Sequence, residues 1–287
     1  ILNTCVSSEK AESLANLHRL SDWVITIDRN AGIEYFDSPR DNKEIYDAYV
    51  IDCVPERDDL GCLQLITSTS SLEEVRYLVD QALEQMGLSQ SLRNAEFLLE
   101  QLKALSGRLA IRLTGSRAVA GELIALALVY ANCRQAKSDD QAWTSLKTGF
   151  FVPVDDILDL LPGAKKDIVE DDRNTRPDLI YVSLSAGRGK SLVFRFVEVK
   201  YRRHLRSARD TEMLSKITEQ TSKFGVMWKE YYLNNDIPSV LRAIRRAKLA
   251  RILKFYVEKA RRHYLEESTY RTLVDEIEKM VKYGSEY

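Results

Sequence analysis

The chain has 287 residues, and its 45% hydrophobic and 30% charged content is typical of a globular protein with a substantial core. No apolar run approaches the roughly 20 residues that a membrane-spanning helix needs, which argues against a membrane protein. The four cysteines are dispersed and form no CxxC pair, so a zinc site and a disulfide framework are not expected. We expect a cytoplasmic protein whose thiols are reduced. The first residue is Ile rather than Met, which is expected of either a processed chain or an excised piece of a longer one.

The formal net charge of −1 hides a strong asymmetry along the chain. Residues 1–105 carry 9 basic and 19 acidic side chains, a charge of −10, whereas residues 176–287 carry 24 and 14, a charge of +10. A basic half is typical of proteins that bind an anionic partner such as nucleic acid, and it is equally typical of helices with many solvated charges.

Residues 1–105 have the pattern of an acidic α/β module, which we interpret as an accessory or docking domain. Runs of β-branched and aromatic residues alternate with turn residues before two helical patterns begin. The predicted strands and helices are Trp23–Ile27, Ile33–Phe36, Ala48–Val54, Leu63–Thr67, Ser70–Met86 and Leu92–Leu105.

Residues 106–287 read as a second α/β domain that ends in helices. A short strand and a strongly apolar helix are followed by an irregular polar stretch from Gln135 to Thr175, then by two strands and three helices. The predicted elements are strand Leu109–Leu113, helix Arg117–Arg134, strands Asp178–Leu184 and Ser191–Lys200, and helices Ala208–Asn234, Pro238–Leu265 and Thr269–Lys282.

Three charged residues mark the ends of the two paired strands in this domain. Asp178 begins the first strand, and Glu198 and Lys200 end the second. Residues two apart in a strand point to the same face, so Glu198 and Lys200 share one side, and a hairpin brings Asp178 close to Glu198. Two carboxylates can hold Mg²⁺, and the ammonium can orient water and stabilise charge on a phosphate. The pattern predicts phosphodiester hydrolysis.

Pro177-Asp178 followed by Glu198-Val199-Lys200 resembles the PD-(D/E)xK nuclease superfamily over about residues 106–287. The resemblance implies a restriction-endonuclease-like fold, a mixed four-stranded sheet flanked by helices, and a Mg²⁺- or Mn²⁺-dependent DNA endonuclease. Asp178 and Glu198 would bind the metal, and Lys200 would position the attacking water. Glu122, the one acid in the apolar helix, would be a further metal ligand. Gln220 would orient Lys200 or the substrate from the helix that follows.

Basic residues follow this pattern closely and supply a predicted DNA-binding surface. Backbone phosphates are their expected ligands, with a solvated helix face as the alternative. The predicted DNA-binding residues are Arg202, Arg203, Arg206, Arg209, Arg242, Arg245 and Arg246.

The stretch from Ser21 to Asn30 resembles segments that join the ATPase and nuclease parts of large bacterial anti-phage proteins, including those of phosphorothioation-dependent restriction systems. This implies a role in prokaryotic defence or DNA processing, with a fused ATPase or other subunits of a defence complex as partners, and a homodimer where both strands are cut. Two alternatives stay open. One is a catalytically silent DNA-binding or assembly module on a nuclease fold, and the other is a phosphodiesterase acting on RNA or a nucleotide.

Overall fold

The chain is a mixed α/β protein that divides into two compact units, Ile1–Leu128 and Val129–Tyr287. The division falls inside a helix, whereas the change in charge predicts a boundary near residue 105. In the described residues the protein is mostly helical, with two small antiparallel sheets. The computed structural model describes residues 17–28, 49–54, 64–113, 115–135, 145–161, 176–185, 191–201, 211–232, 236 and 238–283.

The first unit contains an antiparallel sheet whose central strand is the last of its three strands in sequence. One face of the sheet buries Val24, Ile66 and Ser68. These strands match three of the four predicted ones, and the fourth, Ile33–Phe36, lies outside the described residues. The strands are β1 (Trp23–Asp28), β2 (Tyr49–Val54) and β3 (Gln64–Thr69).

Helices follow this sheet, and the sequence explains where the first of them ends and where the second begins. The first ends at Gly87, whose φ of 71° lies in the left-handed region that glycine adopts without a steric penalty. The second begins after Ser91, whose hydroxyl accepts a hydrogen bond from the amide of Asn94. The helices are α1 (Leu72–Met86), α2 (Leu92–Leu105), α3 (Arg108–Arg112) and α4 (Arg117–Gln135).

The prediction of a strand over Leu109–Leu113 is wrong, because this stretch contains helix α3. Leu109, Ala110 and Leu113 are buried at a helical spacing. A short apolar run fits a buried strand and a buried helical turn equally well, so periodicity alone does not separate them.

The second unit contains a meander of three antiparallel strands with the middle strand in the centre. The first strand lies in the stretch that the sequence predicts to be irregular, and a 3₁₀ helix over Val154–Leu160 follows it directly. The other two form the predicted hairpin. The strands are β4 (Gly149–Pro153), β5 (Leu179–Leu184) and β6 (Leu192–Val197).

Three long helices complete the second unit, in agreement with the predicted ones. Their apolar residues join those of the sheet in one core that includes Ile180, Val182, Phe224, Trp228 and Val257. The helices are α5 (Thr211–Tyr232), α6 (Ser239–His263) and α7 (Glu267–Tyr283).

The described residues of this unit contain a three-stranded sheet, so the mixed four-stranded sheet that the resemblance implies stays a prediction. In the described residues no strand follows β6, and β4, β5 and β6 pair antiparallel. What the two units establish is the α/β class. Among the described residues, no helix has the length and hydropathy needed to cross a membrane.

Candidate functional site

Asp178 is fixed by the main chain on both sides of strand β5. Its amide donates to the carbonyl oxygen of Val197 at 3.1 Å, and its own carbonyl oxygen accepts from the amide of Val154 at 3.0 Å. Its carboxylate oxygen Oδ2 accepts from the amide of Val199 at 2.7 Å. The Asp178 carboxylate therefore lies against the chain segment that carries Glu198 and Lys200.

Glu198 is a buried carboxylate with a donor on each oxygen. Its side chain is 2% exposed. The ammonium of Lys200 forms an ion pair with Oε1, and Nε2 of Gln220 donates to Oε2 at 3.0 Å. A buried carboxylate without such partners would cost several kcal/mol, so these contacts are what allows the charge to persist there.

The packing of helix α5 on strand β6 explains why Gln220 reaches Glu198. The ring of Phe194 contacts Trp228 with centroids 5.4 Å apart, and the ring of Phe196 contacts Phe224 at 5.0 Å. Each step of two residues along the strand matches one helical turn in the opposite direction. The next step pairs Glu198 with Gln220, one turn before Phe224.

Gln220 connects helix α5 with the residues before β5 and after β6 through hydrogen bonds. The side-chain amide carries two hydrogens. One goes to Glu198, and Nε2 also donates to the carbonyl oxygen of Arg176, just before β5. Gln220 is buried and contacts the carboxylate that also pairs with Lys200, and its predicted role in orienting Lys200 or the substrate stays a prediction.

The donor chemistry of this site suits a hard divalent cation. Carboxylate oxygens are the ligands that Mg²⁺ prefers, and this ion usually keeps several waters and takes one or two protein carboxylates together with substrate phosphates. Asp178 and Glu198 supply such a pair. The described residues contain no group of three or more His, Cys, Asp and Glu side chains that could hold a metal ion.

Glu122 belongs to the other compact unit, so its predicted role as a further metal ligand stays a prediction. It lies on α4 in the first unit, and its side chain is exposed. The reason for predicting it as a metal ligand was that a charged residue in an apolar helix would be buried and need a partner. That premise is wrong, because the helix presents Glu122 to solvent between buried residues such as Ala120 and Leu123.

Of the predicted DNA-binding arginines, three lie on helix α6 and four lie outside the described residues. Arg242 and Arg245 on α6 are half-buried, and Arg245 donates to the carbonyl oxygen of Tyr231 while its guanidinium lies 3.8 Å from the centre of that ring. Arg246 is 4% exposed and donates through Nε to the carbonyl oxygen of Tyr232. The other predicted positions, Arg202, Arg203, Arg206 and Arg209, lie outside the described residues.

Arg246 is therefore not exposed in the second unit, and contact with DNA at this position stays a prediction. Helix α5 covers this side of α6, so the guanidinium is a packing contact between the two helices. Burial lowers the pKa of Arg246, and the charge of Arg242 lowers it further. Farther along α6, Lys254, Arg261 and Arg262 pair with acidic residues of α6 and α7. The positive charge of this helix is thus partly balanced within the unit.

Two main-chain groups belong to the site and were not predicted. The amide of Val199 holds Asp178, and the carbonyl oxygen of Arg176 holds Gln220. No side-chain type marks such contacts in a sequence. The signal that could have found them is the hairpin register, which places residue 178 beside residues 197–199.

Comparisons of the chain with protein-family models, with curated proteins and with solved structures found no match.

Proposed function

We propose that the second unit is a metal-dependent nuclease that hydrolyses phosphodiester bonds in DNA. The observation that carries this proposal is the convergence of four residues at one end of the β5–β6 hairpin. Glu198 contacts Lys200 and Gln220 directly, and Asp178 is bonded to the amide between Glu198 and Lys200. Two carboxylates can hold a divalent cation and an ammonium can stabilise charge on a phosphate, which suits phosphodiester hydrolysis, and contacts from three chain segments hold these groups together.

The roles of the residues follow from their chemistry. Asp178 and Glu198 would hold Mg²⁺ or Mn²⁺, which would supply charge neutralisation for the scissile phosphate and activation of water. Lys200, whose side chain is 30% exposed, would orient the attacking water and stabilise charge that develops on the phosphate. Gln220 would keep Glu198 in place from behind.

DNA as the substrate is supported by the charge of +10 on residues 176–287. Such a positive field favours the binding of a polyanion, because binding releases the counterions of the polyanion into solution. The setting in prokaryotic defence or DNA processing, beside a fused ATPase or other subunits, rests on the resemblance of the sequence alone.

The test is cleavage of plasmid and single-stranded DNA by the full chain with Mg²⁺ or Mn²⁺. Asp178→Ala and Lys200→Ala should each lower the rate at least about a hundredfold, because each removes a group that acts on the reacting atoms. Lys223→Ala is a matched control, since Lys223 is an exposed lysine on α5 that pairs with Glu219.

Cleavage that needs the metal, is lost in both site variants and persists in Lys223→Ala would establish the nuclease. Equal cleavage by wild type and Asp178→Ala would mean that the activity lies elsewhere or belongs to a contaminant. Binding of DNA without cleavage in any metal would favour a silent DNA-binding module, and cleavage of RNA alone would favour the phosphodiesterase alternative.

A further inference from the structure

The ion pair between Lys200 and Glu198 occupies the carboxylate that the proposed metal site needs. Glu198 has one oxygen on the ammonium of Lys200 and the other on the amide of Gln220. A neutral amide can share a carboxylate with a cation. An ammonium cannot do so easily, because two cations at one carboxylate oxygen repel each other strongly even where the effective dielectric constant is about 20.

The two partners of this ion pair are unequally exposed. Glu198 is buried, whereas Lys200 is partly open to solvent. A lysine carries its charge on a flexible four-carbon stem, so its head group can move into water while the stem stays in place. Glu198 has no such freedom, since strand β6 and helix α5 hold it. Any exchange of partners at this carboxylate must therefore happen by movement of Lys200.

We infer that the ammonium of Lys200 acts as an internal substitute for the divalent cation, so that the Lys200–Glu198 ion pair and cation binding exclude each other. This inference rests on the proposed function and describes how the divalent cation enters its site. In the cation-free protein, Lys200 neutralises Glu198 and stabilises the fold. When the cation binds, Lys200 leaves Glu198 and becomes available to a phosphate.

A second ion pair in the same unit provides a matched control. Lys279 pairs with Glu276 on α7 at 2.6 Å, and the side chain of Glu276 is 5% exposed. The pair has the same chemistry as Lys200–Glu198 and a similarly buried carboxylate, its lysine is 52% exposed against 30% for Lys200, and it lies outside the Asp178–Glu198 site. Removal of Lys279 should therefore destabilise the protein without creating a cation site.

The experiment is calorimetric titration of Mn²⁺ into the full chain and into Lys200→Met, Lys279→Met and Asp178→Asn. Lys200→Met should bind Mn²⁺ at least tenfold more tightly than wild type, because the competing charge is gone. Lys279→Met should bind like wild type, and Asp178→Asn should bind at least tenfold more weakly. Thermal unfolding adds a second measurement. Lys200→Met should unfold at a lower temperature without metal and gain more from Mn²⁺ than wild type does.

Lys200→Gln, which keeps a polar side chain, replaces Lys200→Met if the latter does not fold. Wild-type binding that is lost in Asp178→Asn but equal or weaker in the Lys200 variant would overturn the inference and leave the proposed metal site standing. Absence of Mn²⁺ binding in every variant, together with absence of cleavage, would overturn the proposed function and the inference with it. Equal tightening in Lys279→Met would also overturn the inference, because any freed buried carboxylate would then suffice.

Discussion

The side-chain amide of Gln220 donates to Oε2 of Glu198 at 3.0 Å, although the two residues stand 22 positions apart in the chain. The same amide donates to the carbonyl oxygen of Arg176. One uncharged group thus fixes the carboxylate at the end of β6 relative to the segment before β5. Because Gln220 is buried behind Glu198, we regard it as a positioning residue rather than a group that contacts DNA.

Gln220→Ala should lower the turnover of DNA cleavage about ten- to a hundredfold and leave KM within about twofold, because a displaced carboxylate harms the reaction more than binding. The free energy of unfolding should fall by about 1–3 kcal/mol, since two acceptors lose a buried donor. The measurement is single-turnover cleavage by protein that is folded by circular dichroism. Thr221→Ala, next along the same helix, serves as the control. Loss of stability with unchanged turnover would reduce Gln220 to a purely structural role.

Much of this site could be predicted because its elements have strong local signals. The run Phe194-Arg195-Phe196-Val197 is aromatic and β-branched, which is typical of a strand. Its end at Glu198 and the helical spacing of Gln220, Phe224 and Trp228 are both visible in the sequence. The sequence patterns of strand and helix each show which residues face the core. The hairpin register then places Asp178 beside Glu198.

What could not be predicted depends on partners that are distant in sequence. Strand β4 is short, and its five residues are all buried, so it shows no alternation of exposed and buried residues. It is a strand because Gly149 and the following residues pair with β5, across the long stretch from Val154 to Asp178. The burial of Arg246 under α5 depends in the same way on helix packing, which the sequence of α6 alone does not reveal.

Gly149→Ala should be far more destabilising than Gly87→Ala. A β-carbon at Gly149 would overlap the carbonyl oxygen of Val182 and the ring of Tyr181, so β4 and β5 would have to separate. We expect a loss of about 3 kcal/mol or more in the free energy of unfolding. At Gly87 a β-carbon meets open space, and only the left-handed backbone costs energy, about 1 kcal/mol.

Urea unfolding measures both glycine variants, and hydrogen exchange locates the damage. Gly149→Ala should speed the exchange of amides in β4 and β5, whereas Gly87→Ala should affect only the end of α1. Similar losses of stability for the two variants would contradict the close approach of Gly149 to β5.

Arg246→Ala should destabilise the second unit without removing a phosphate contact. Loss of its bond to the carbonyl oxygen of Tyr232 should cost about 1–3 kcal/mol. The dependence of DNA affinity on salt should keep its slope, whereas loss of a residue that neutralises one phosphate lowers that slope by about 0.9. Arg242→Ala provides the comparison, since Arg242 is predicted to contact DNA. A reduced slope for Arg246→Ala would show that the guanidinium reaches DNA after all.

His18 should make the stability of the first unit depend on pH. Its ring is buried, and Nε2 lies 3.0 Å from the hydroxyl of Ser68. Burial lowers the pKa of His18 below its ordinary value of 6.5, against a smaller opposing effect of a backbone hydrogen bond at Ser21. The folded protein therefore resists a proton that the unfolded chain accepts. The resulting stability is complete above the unfolded pKa and is lost as the pH falls below 6.5 toward the folded pKa.

The measurement is the free energy of unfolding of wild type and His18→Gln at about pH 7.5, 6.5 and 5.5, values that bracket the ordinary histidine pKa. Glutamine keeps a polar group near Ser68 but does not titrate, so any pH dependence that remains in the variant comes from other residues. Wild type should lose more stability than His18→Gln between the highest and the lowest pH. Parallel curves for the two proteins would mean that His18 takes up its proton as readily in the folded chain as in the unfolded one, and the burial of its ring would then not favour the neutral form.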